Sequence, residues 1–182
     1  MTEKQMLSCS KFISLVLRHK PEAIGITLDA YGWADTNALI NGMNKAGHSV
    51  SMDDIEKIVR LDEKQRYIFN DGQTKIRASQ GHSIPVDVGL SESVPPDVLY
   101  HGTAARYLES IQESGLLPQN RLYVHLSKDT ETAAKVGQRH GKPIVLEVDA
   151  AGMIRDGFTF YLSDNNVWLT KQVPANYLSA LP

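Results

Sequence analysis

Basic and histidine side chains recur near the ends of apolar stretches in this chain, where they can meet an anionic ligand. Arg18 and His19 close one such stretch, LVLRHKP, just before Pro21. Arginine presents a fixed fork of donors to phosphate, and histidine can exchange a proton near neutral pH. The pair is therefore a candidate anion site, although basic residues are also favoured at a helix C-terminus on electrostatic grounds alone.

Two further arginines are candidates for the same chemistry and have equally ordinary explanations. Arg66 opens a predicted strand in DEKQRYIF, and Arg139 lies in AAKVGQRHGKP, close to Gly141. Arg66 could be a surface charge, and Arg139 could be a favourable charge at a helix end. Spacing along the chain does not show whether these arginines converge with Arg18 and His19.

Two histidine motifs stand at the ends of predicted strands. In His101-Gly102-Thr103, glycine would let a planar carboxamide approach the backbone N–H and C=O closely. His125 and Ser127 project to the same face of an extended strand. Ser127 could instead cap the helix that follows it, but capping explains neither histidine.

Metal and thiol chemistry are both disfavoured. The six histidines form no HxxxH pair, and the single cysteine, Cys9, has no histidine at ligand spacing. Cys9 also lies in a polar stretch without an activating neighbour. We therefore expect no bound metal. The chain also lacks the GxSxG, GxGxxG and GxxxxGK[ST] motifs.

The elements that must position these residues fall into two sections joined by segment 81–97. That segment holds Pro85 and the pair Pro95-Pro96 and predicts a linker between domains over 1–80 and 98–182. In the first section, the sequence predicts a helix over 5–18, a second helix capped by Asp35 and stopped by Gly47, and a third helix capped by Ser51. A hairpin of strands 67–69 and 75–78 around Asn70-Asp71-Gly72 is predicted to follow.

Three helices followed by a hairpin are typical of a winged helix, but the third helix begins SMDDIEK, which is too acidic to favour DNA recognition. The second section alternates strands and helices, which indicates an α+β domain. Its predicted strands cover 98–101, 123–126, 144–148 and 167–169, and its predicted helices cover 104–114 and 129–140.

Composition agrees with a soluble protein that has no polyanion-binding surface. The 182 residues carry 19 Lys+Arg against 21 Asp+Glu, for a formal net charge of −2. A single cysteine fits a reducing cytoplasm, and no apolar run is long enough to span a membrane. We expect a cytoplasmic protein, without a membrane partner and monomeric.

These motifs together resemble the NAD-dependent RNA (tRNA) 2′-phosphotransferase family. The matching stretches occur in the expected order from about residue 10 to residue 170. They are SKFISLVLRHKPEAIGITLDAYGWAD, DEKQRYIF, IRASQGHSIPV, LYHGTAARYLESIQESGLL, YVHLSKD, KVGQRHGKPIVLEV and VWLT.

The resemblance implies a winged-helix lobe and an ADP-ribosyltransferase-like lobe, with the active site in the cleft between them. It places the family's catalytic Arg-His-Arg-Arg group on Arg18, His19, Arg66 and Arg139. NAD binding is expected at His101, Gly102, Thr103, His125 and Ser127, and contacts to the substrate RNA are expected at Arg77, Gln80 and His82.

The resemblance also implies a two-step reaction that consumes NAD. An internal RNA 2′-phosphate first displaces nicotinamide from NAD, and the ribose O2″ then attacks the phosphorus. The products are RNA with a 2′-hydroxyl and ADP-ribose 1″,2″-cyclic phosphate, as part of tRNA splicing or RNA repair. Two alternatives are a transferase that ADP-ribosylates another acceptor and stops there, and a winged-helix nucleic-acid-binding protein without enzymatic activity.

Overall fold

The chain forms two compact units in the computed structural model, which describes residues 1–181. The units are Met1–Gly89 and Leu90–Pro182, so the division falls inside the proline-containing segment 81–97. Helices and small antiparallel sheets occur in both units, which is the α+β architecture expected from the sequence. None of the helices among the described residues is both long and apolar enough to cross a membrane.

The three predicted helices of the first unit are present and begin at side-chain caps. The Asp35 carboxylate accepts from the N–H of Ala38 at 2.8 Å, and Ser51 forms a capping box with Asp54. Such caps satisfy N–H groups that have no partner within the helix. The helices are α1 (Glu3–Arg18), α2 (Thr36–Lys45) and α3 (Met52–Leu61).

The predicted hairpin is also present, and a third strand extends it. The strands are β1 (Ala34–Asp35), β2 (Tyr67–Phe69) and β3 (Lys75–Ala78), in the antiparallel order β1-β3-β2. The Tyr67 hydroxyl lies 2.5 Å from the carbonyl oxygen of Ser10 and 2.5 Å from the Ser14 hydroxyl. These bonds fix the hairpin against α1, whose buried face includes Ile13 and Leu17.

Two antiparallel sheets form the second unit. Strands β5 (Val98–Ala104), β7 (Pro143–Asp149) and β10 (Leu178–Ala180) are ordered β10-β7-β5. Strands β4 (Ser91–Glu92), β6 (Val124–Leu126), β8 (Phe160–Leu162) and β9 (Trp168–Thr170) are ordered β4-β8-β9-β6. The helices are α4 (Leu108–Ser114), α5 (Thr130–Gly137) and α6 (Ala150–Arg155).

Several predicted boundaries in this unit are wrong. The strand predicted over 98–101 continues through Gly102 and Thr103 to Ala104, because its pairing with β7 extends that far. The helix predicted from residue 104 begins at Leu108, because Ala104 completes β5 and Ala105–Tyr107 form a 3₁₀ turn. The helix predicted over 129–140 ends as α-helix at Gly137 and continues as a 3₁₀ turn. The last predicted strand is shifted by one residue, since Val167 precedes β9.

Candidate functional site

The pair Arg18-His19 lies where the sequence predicts, at the C-terminus of α1. Arg18 is the last residue of the helix, and His19 caps it, with its N–H donating to the carbonyl of Leu15 at 2.9 Å. The negative end of the helix dipole favours cations at these positions. Both residues are half-buried, and Nε and Nη2 of Arg18 are buried.

A returning loop packs onto this helix end and holds it in place. The N–H of Ser83 donates to the carbonyl of Arg18 at 3.0 Å, and the Ser83 hydroxyl lies 2.9 Å from Nδ1 of His19. Gly81 has φ +90°, and a Cβ there would lie 3.6 Å from the guanidinium carbon of Arg18. The absence of a side chain at Gly81 therefore leaves room for the Arg18 fork.

Positive charges act on the buried side chain of His82, which lies in this loop. Its pKa is lowered to about 4, first by burial and then by the positive charges of Arg18, His19 and Arg77. The imidazole is 3% exposed and is neutral at pH 7. The structure thus brings two predicted catalytic residues together with two residues predicted to contact RNA, while Gln80 lies half-buried in the same loop.

Arg66 is positioned by a separate set of contacts at the end of the hairpin. Its guanidinium pairs with the carboxylate of Asp62, and its own N–H donates to the same carboxylate at 2.6 Å. The N–H of Ser79 donates to the carbonyl of Arg66 at 2.8 Å, which continues the pairing of β2 with β3. A predicted catalytic arginine is therefore held at the end of the sheet nearest to the loop of Gly81.

In the second unit, Ser127 pairs with the outer edge of β5. The N–H and C=O of Tyr100 exchange hydrogen bonds with those of Ser127, at 2.7 and 2.8 Å. Backbone groups alternate between the two edges of a strand, so Gly102 directs its N–H and C=O to this same edge, away from β7. The capping alternative for Ser127 is wrong, because Asp129 caps α5 by accepting from the N–H of Thr132 at 2.7 Å.

Two histidines of this unit, His101 and His125, are fixed by main-chain oxygens. Nδ1 of His101 lies 3.0 Å from the carbonyl of His125, and Nδ1 of His125 lies 3.0 Å from the carbonyl of Tyr123. A carbonyl only accepts, so Nδ1 carries the proton in each ring. The pKa of His101 is lowered, chiefly by burial and in part by the charge of Arg121, while the bond to His125 opposes the shift. His101 is thus neutral at pH 7 and has an acceptor at Nε2.

Gly102 has a packing role that the sequence did not reveal. A Cβ at this position would lie 1.6 Å from the carbonyl oxygen of Ala133 in α5. The backbone of α5 therefore lies directly on β5, which requires glycine whether or not a ligand binds. Thr103, the next residue, is 6% exposed.

The arginine set in this unit is larger than the sequence suggests. Arg139 lies in the 3₁₀ turn after α5 and is exposed. Arg121 is also exposed, but partial desolvation lowers the pKa of its guanidinium, as does the charge of Arg139 to a smaller extent. Arg121 also acts on the pKa of His101. Arg121 was not predicted as a site residue, although it lies only four residues before His125, a predicted NAD-binding residue.

Among residues 1–181, no group of three or more His, Cys, Asp or Glu side chains could hold a metal ion.

Comparisons with known proteins give a consistent result over nearly the whole chain. Residues 4–172 match the family model described as "RNA 2'-phosphotransferase, Tpt1 / KptA family". Three relatives carry the name "Probable RNA 2'-phosphotransferase". The protein from Flavobacterium johnsoniae is 52% identical over 98% of both chains, and that from Hahella chejuensis is 51% identical over 98% of this chain and 96% of its own. The protein from Pseudomonas fluorescens is 48% identical over the full length of both chains. The chain therefore belongs to the RNA 2′-phosphotransferase family, Tpt1 / KptA.

Proposed function

We propose that this protein is an RNA 2′-phosphotransferase that removes an internal 2′-phosphate from RNA by transferring it to NAD. The observation that supports this most is the gathering of Arg18, His19 and Arg77 around buried His82. Half-buried cations beside a neutral imidazole form an environment suited to a single phosphate group. The proposal includes a winged-helix role for the first unit and an ADP-ribosyltransferase-like role for the second.

NAD enters the proposal as a consumed substrate, and the second unit offers groups that fit it. The N–H and C=O of Gly102, directed to the edge of β5, can pair with the two ends of the nicotinamide carboxamide. Nε2 of His101 can accept a hydrogen bond from a ribose hydroxyl, because Nδ1 holds the proton. Thr103, His125 and Ser127 complete the proposed NAD-binding set.

In the first step, an oxygen of the RNA 2′-phosphate forms a bond to C1″ of the nicotinamide ribose. The bond from C1″ to the nicotinamide nitrogen breaks, and nicotinamide leaves as a neutral molecule. The nucleophile is already an anion, so no carboxylate is needed to generate it. The family resemblance implies that Val167 falls where many other ADP-ribosyltransferases carry a catalytic glutamate, which agrees with this chemistry.

In the second step, the ribose O2″ attacks the phosphorus of the ADP-ribosylated RNA. The O2″ hydroxyl gives up its proton, the bond from phosphorus to the RNA O2′ breaks, O2′ takes up a proton, and ADP-ribose 1″,2″-cyclic phosphate leaves. Negative charge builds on the phosphoryl oxygens, where fixed guanidinium groups stabilise it. We assign this role to Arg18, Arg66 and Arg139, with His19 assisting proton transfer. Arg121 is a further candidate for the same clamp, because it lies in the electrostatic range of both His101 and Arg139.

The experiment is single-turnover assay of alanine variants at Arg18, His19, Arg66 and Arg139 with labelled 2′-phosphorylated RNA and NAD. Loss of one clamp contact should slow the second step about 100-fold. ADP-ribosylated RNA should then accumulate in at least one variant. The control is Arg60→Ala, an exposed arginine at the end of α3, which should behave like the parent protein. If no variant accumulates the intermediate, the assignment of these residues to the second step is wrong.

A further inference from the structure

The three-stranded sheet of the first unit has one face in the core and one face outside it. Ile76 pairs with Ala34 and with Phe69, and Ile76 and Ala34 are fully buried. Side chains alternate along a strand, so Arg77 lies on the opposite face, together with its partner Ile68. This second face is called the outer face here.

The strand pairing can be continued by one residue before β1 and by one residue before β2. This adds Trp33 and Arg66 to the outer face. Trp33 comes opposite Arg77, and the Arg77 guanidinium lies 4.6 Å from the centre of the Trp33 rings. Arg66 comes opposite Ser79, which the hydrogen bond between their main chains supports. Arg66 and Arg77 are then diagonal neighbours across two strands, a separation of about 7–8 Å.

A rigid turn places an exposed aromatic residue beside this face. The Asp29 carboxylate accepts from the N–H groups of Tyr31 and Trp33, both at 3.0 Å, and Gly32 between them has φ +80°. Tyr31 is 59% exposed, and its carbonyl oxygen lies 3.5 Å from Nη1 of Arg77. The turn thus holds a tyrosine in water next to an arginine that is stacked on Trp33.

The same turn is connected to the proposed phosphate-binding residues. A Cβ at Gly32 would lie 3.5 Å from Nε2 of His82, so the turn packs directly on that imidazole. His82 in turn lies within the electrostatic range of Arg18, His19 and Arg77. The packing of Gly32 on His82 therefore connects the turn of Tyr31 to the loop beside the proposed 2′-phosphate site.

We propose that Tyr31 is a stacking platform for the base of an unpaired nucleotide that adjoins the 2′-phosphorylated one. Arg77, held in place by Trp33, contacts the phosphate that links the two nucleotides. Aromatic rings beside arginines are the usual means of binding unpaired RNA, and stacking tolerates any base. This inference rests on the proposed function, because it assumes that the bound phosphate belongs to an RNA strand.

The test measures binding of fluorescent 2′-phosphorylated RNA by anisotropy in the absence of NAD. Tyr31→Ala should weaken binding of a hexanucleotide about 10-fold. It should leave binding of a 2′-phosphorylated mononucleotide unchanged, because that ligand has no neighbouring base. Tyr31→Phe keeps the ring and should bind like the parent protein. Tyr107→Ala removes another exposed tyrosine, whose ring centre lies 4.8 Å from the guanidinium carbon of Arg106, and should change neither affinity.

Equal hexanucleotide affinities for Tyr31→Ala and the parent protein would overturn the inference, as would equal weakening for the long and short ligands. Steady-state turnover with NAD separates this result from the proposed function. If the parent protein releases the 2′-phosphate with NAD but Tyr31→Ala has an unchanged KM for the hexanucleotide, only the inference fails. If the parent protein binds RNA through Tyr31 but never consumes NAD, only the proposed function fails.

Discussion

The imidazole of His101 donates from Nδ1 to the main-chain carbonyl of His125, at 3.0 Å. One bond thereby joins the two histidine motifs and fixes the tautomer of His101. Nε2 is left as an acceptor, which is the form that suits a ribose hydroxyl. The relationship ties a predicted NAD-binding side chain to strand β6, which Ser127 directly follows.

His101→Asn should separate the two functions of this imidazole. The asparagine amide can still donate to the carbonyl of His125, but it lacks an acceptor at the position of Nε2. We expect a thermal midpoint close to that of the parent protein and an increase in the KM for NAD of about 10-fold, the cost of one hydrogen bond to substrate. A KM for NAD equal to that of the parent protein would refute the role of Nε2. Nitrogen NMR checks the tautomer independently.

Gly102→Ala should destabilise the fold rather than weaken NAD binding alone. The new Cβ would meet the carbonyl oxygen of Ala133, so α5 must move away from β5. We expect a loss of about 3 kcal/mol in the free energy of unfolding, measured in urea. Gly72→Ala is the control, because a Cβ there meets only Thr74, at 3.9 Å. Equal stability of the two variants would contradict this account of Gly102.

His82 should make the stability of the protein fall in mild acid. Its folded pKa of about 4 is below its unfolded value, so the unfolded chain binds more protons between about pH 6.5 and pH 4. His82 makes its full contribution to the free energy of unfolding above that range. This contribution is lost as the pH falls through the range, by about 3 kcal/mol in total. In urea unfolding, the free energy of unfolding of His82→Asn should fall by about 3 kcal/mol less over this pH range than that of the parent protein. Identical pH profiles for the parent protein and the variant would contradict the shifted pKa.

Arg121→Ala should impair phosphate transfer, as Arg139→Ala should. Both arginines are exposed, and the charge of Arg121 acts on His101 while that of Arg139 acts on Arg121. Loss of a guanidinium that stabilises the developing charge should lower kcat about 100-fold. Arg155→Ala, which removes the arginine at the end of α6, is the control. A kcat for Arg121→Ala close to that of the parent protein would exclude Arg121 from the clamp and leave Arg139 as the candidate.

Local signals made the first unit largely predictable. Asp35 and Ser51 start α2 and α3, and Gly47 follows the end of α2 with φ +90°. Each of these effects depends on residues close together in the chain. Strand β1 was missed because two residues show no periodicity, and it forms only by pairing with distant β3.

Long-range packing explains what the sequence could not show in the candidate site. Gly102 was interpreted as leaving space for a ligand, but the contact of β5 with α5 depends on residues about thirty positions apart. Arg121 looks like an ordinary surface charge until the fold places it near His101. The spacing of Arg18, His19 and His82 gave no sign of their proximity, because the loop of Gly81 and Ser83 creates it.

The most direct test of the central claim is mass spectrometry of the products after incubation with 2′-phosphorylated RNA and NAD. The proposal predicts RNA with a 2′-hydroxyl, nicotinamide and ADP-ribose 1″,2″-cyclic phosphate in equal amounts, with none formed when NAD is omitted. A stable ADP-ribosylated RNA as the final product, or loss of the 2′-phosphate as inorganic phosphate without NAD, would contradict it.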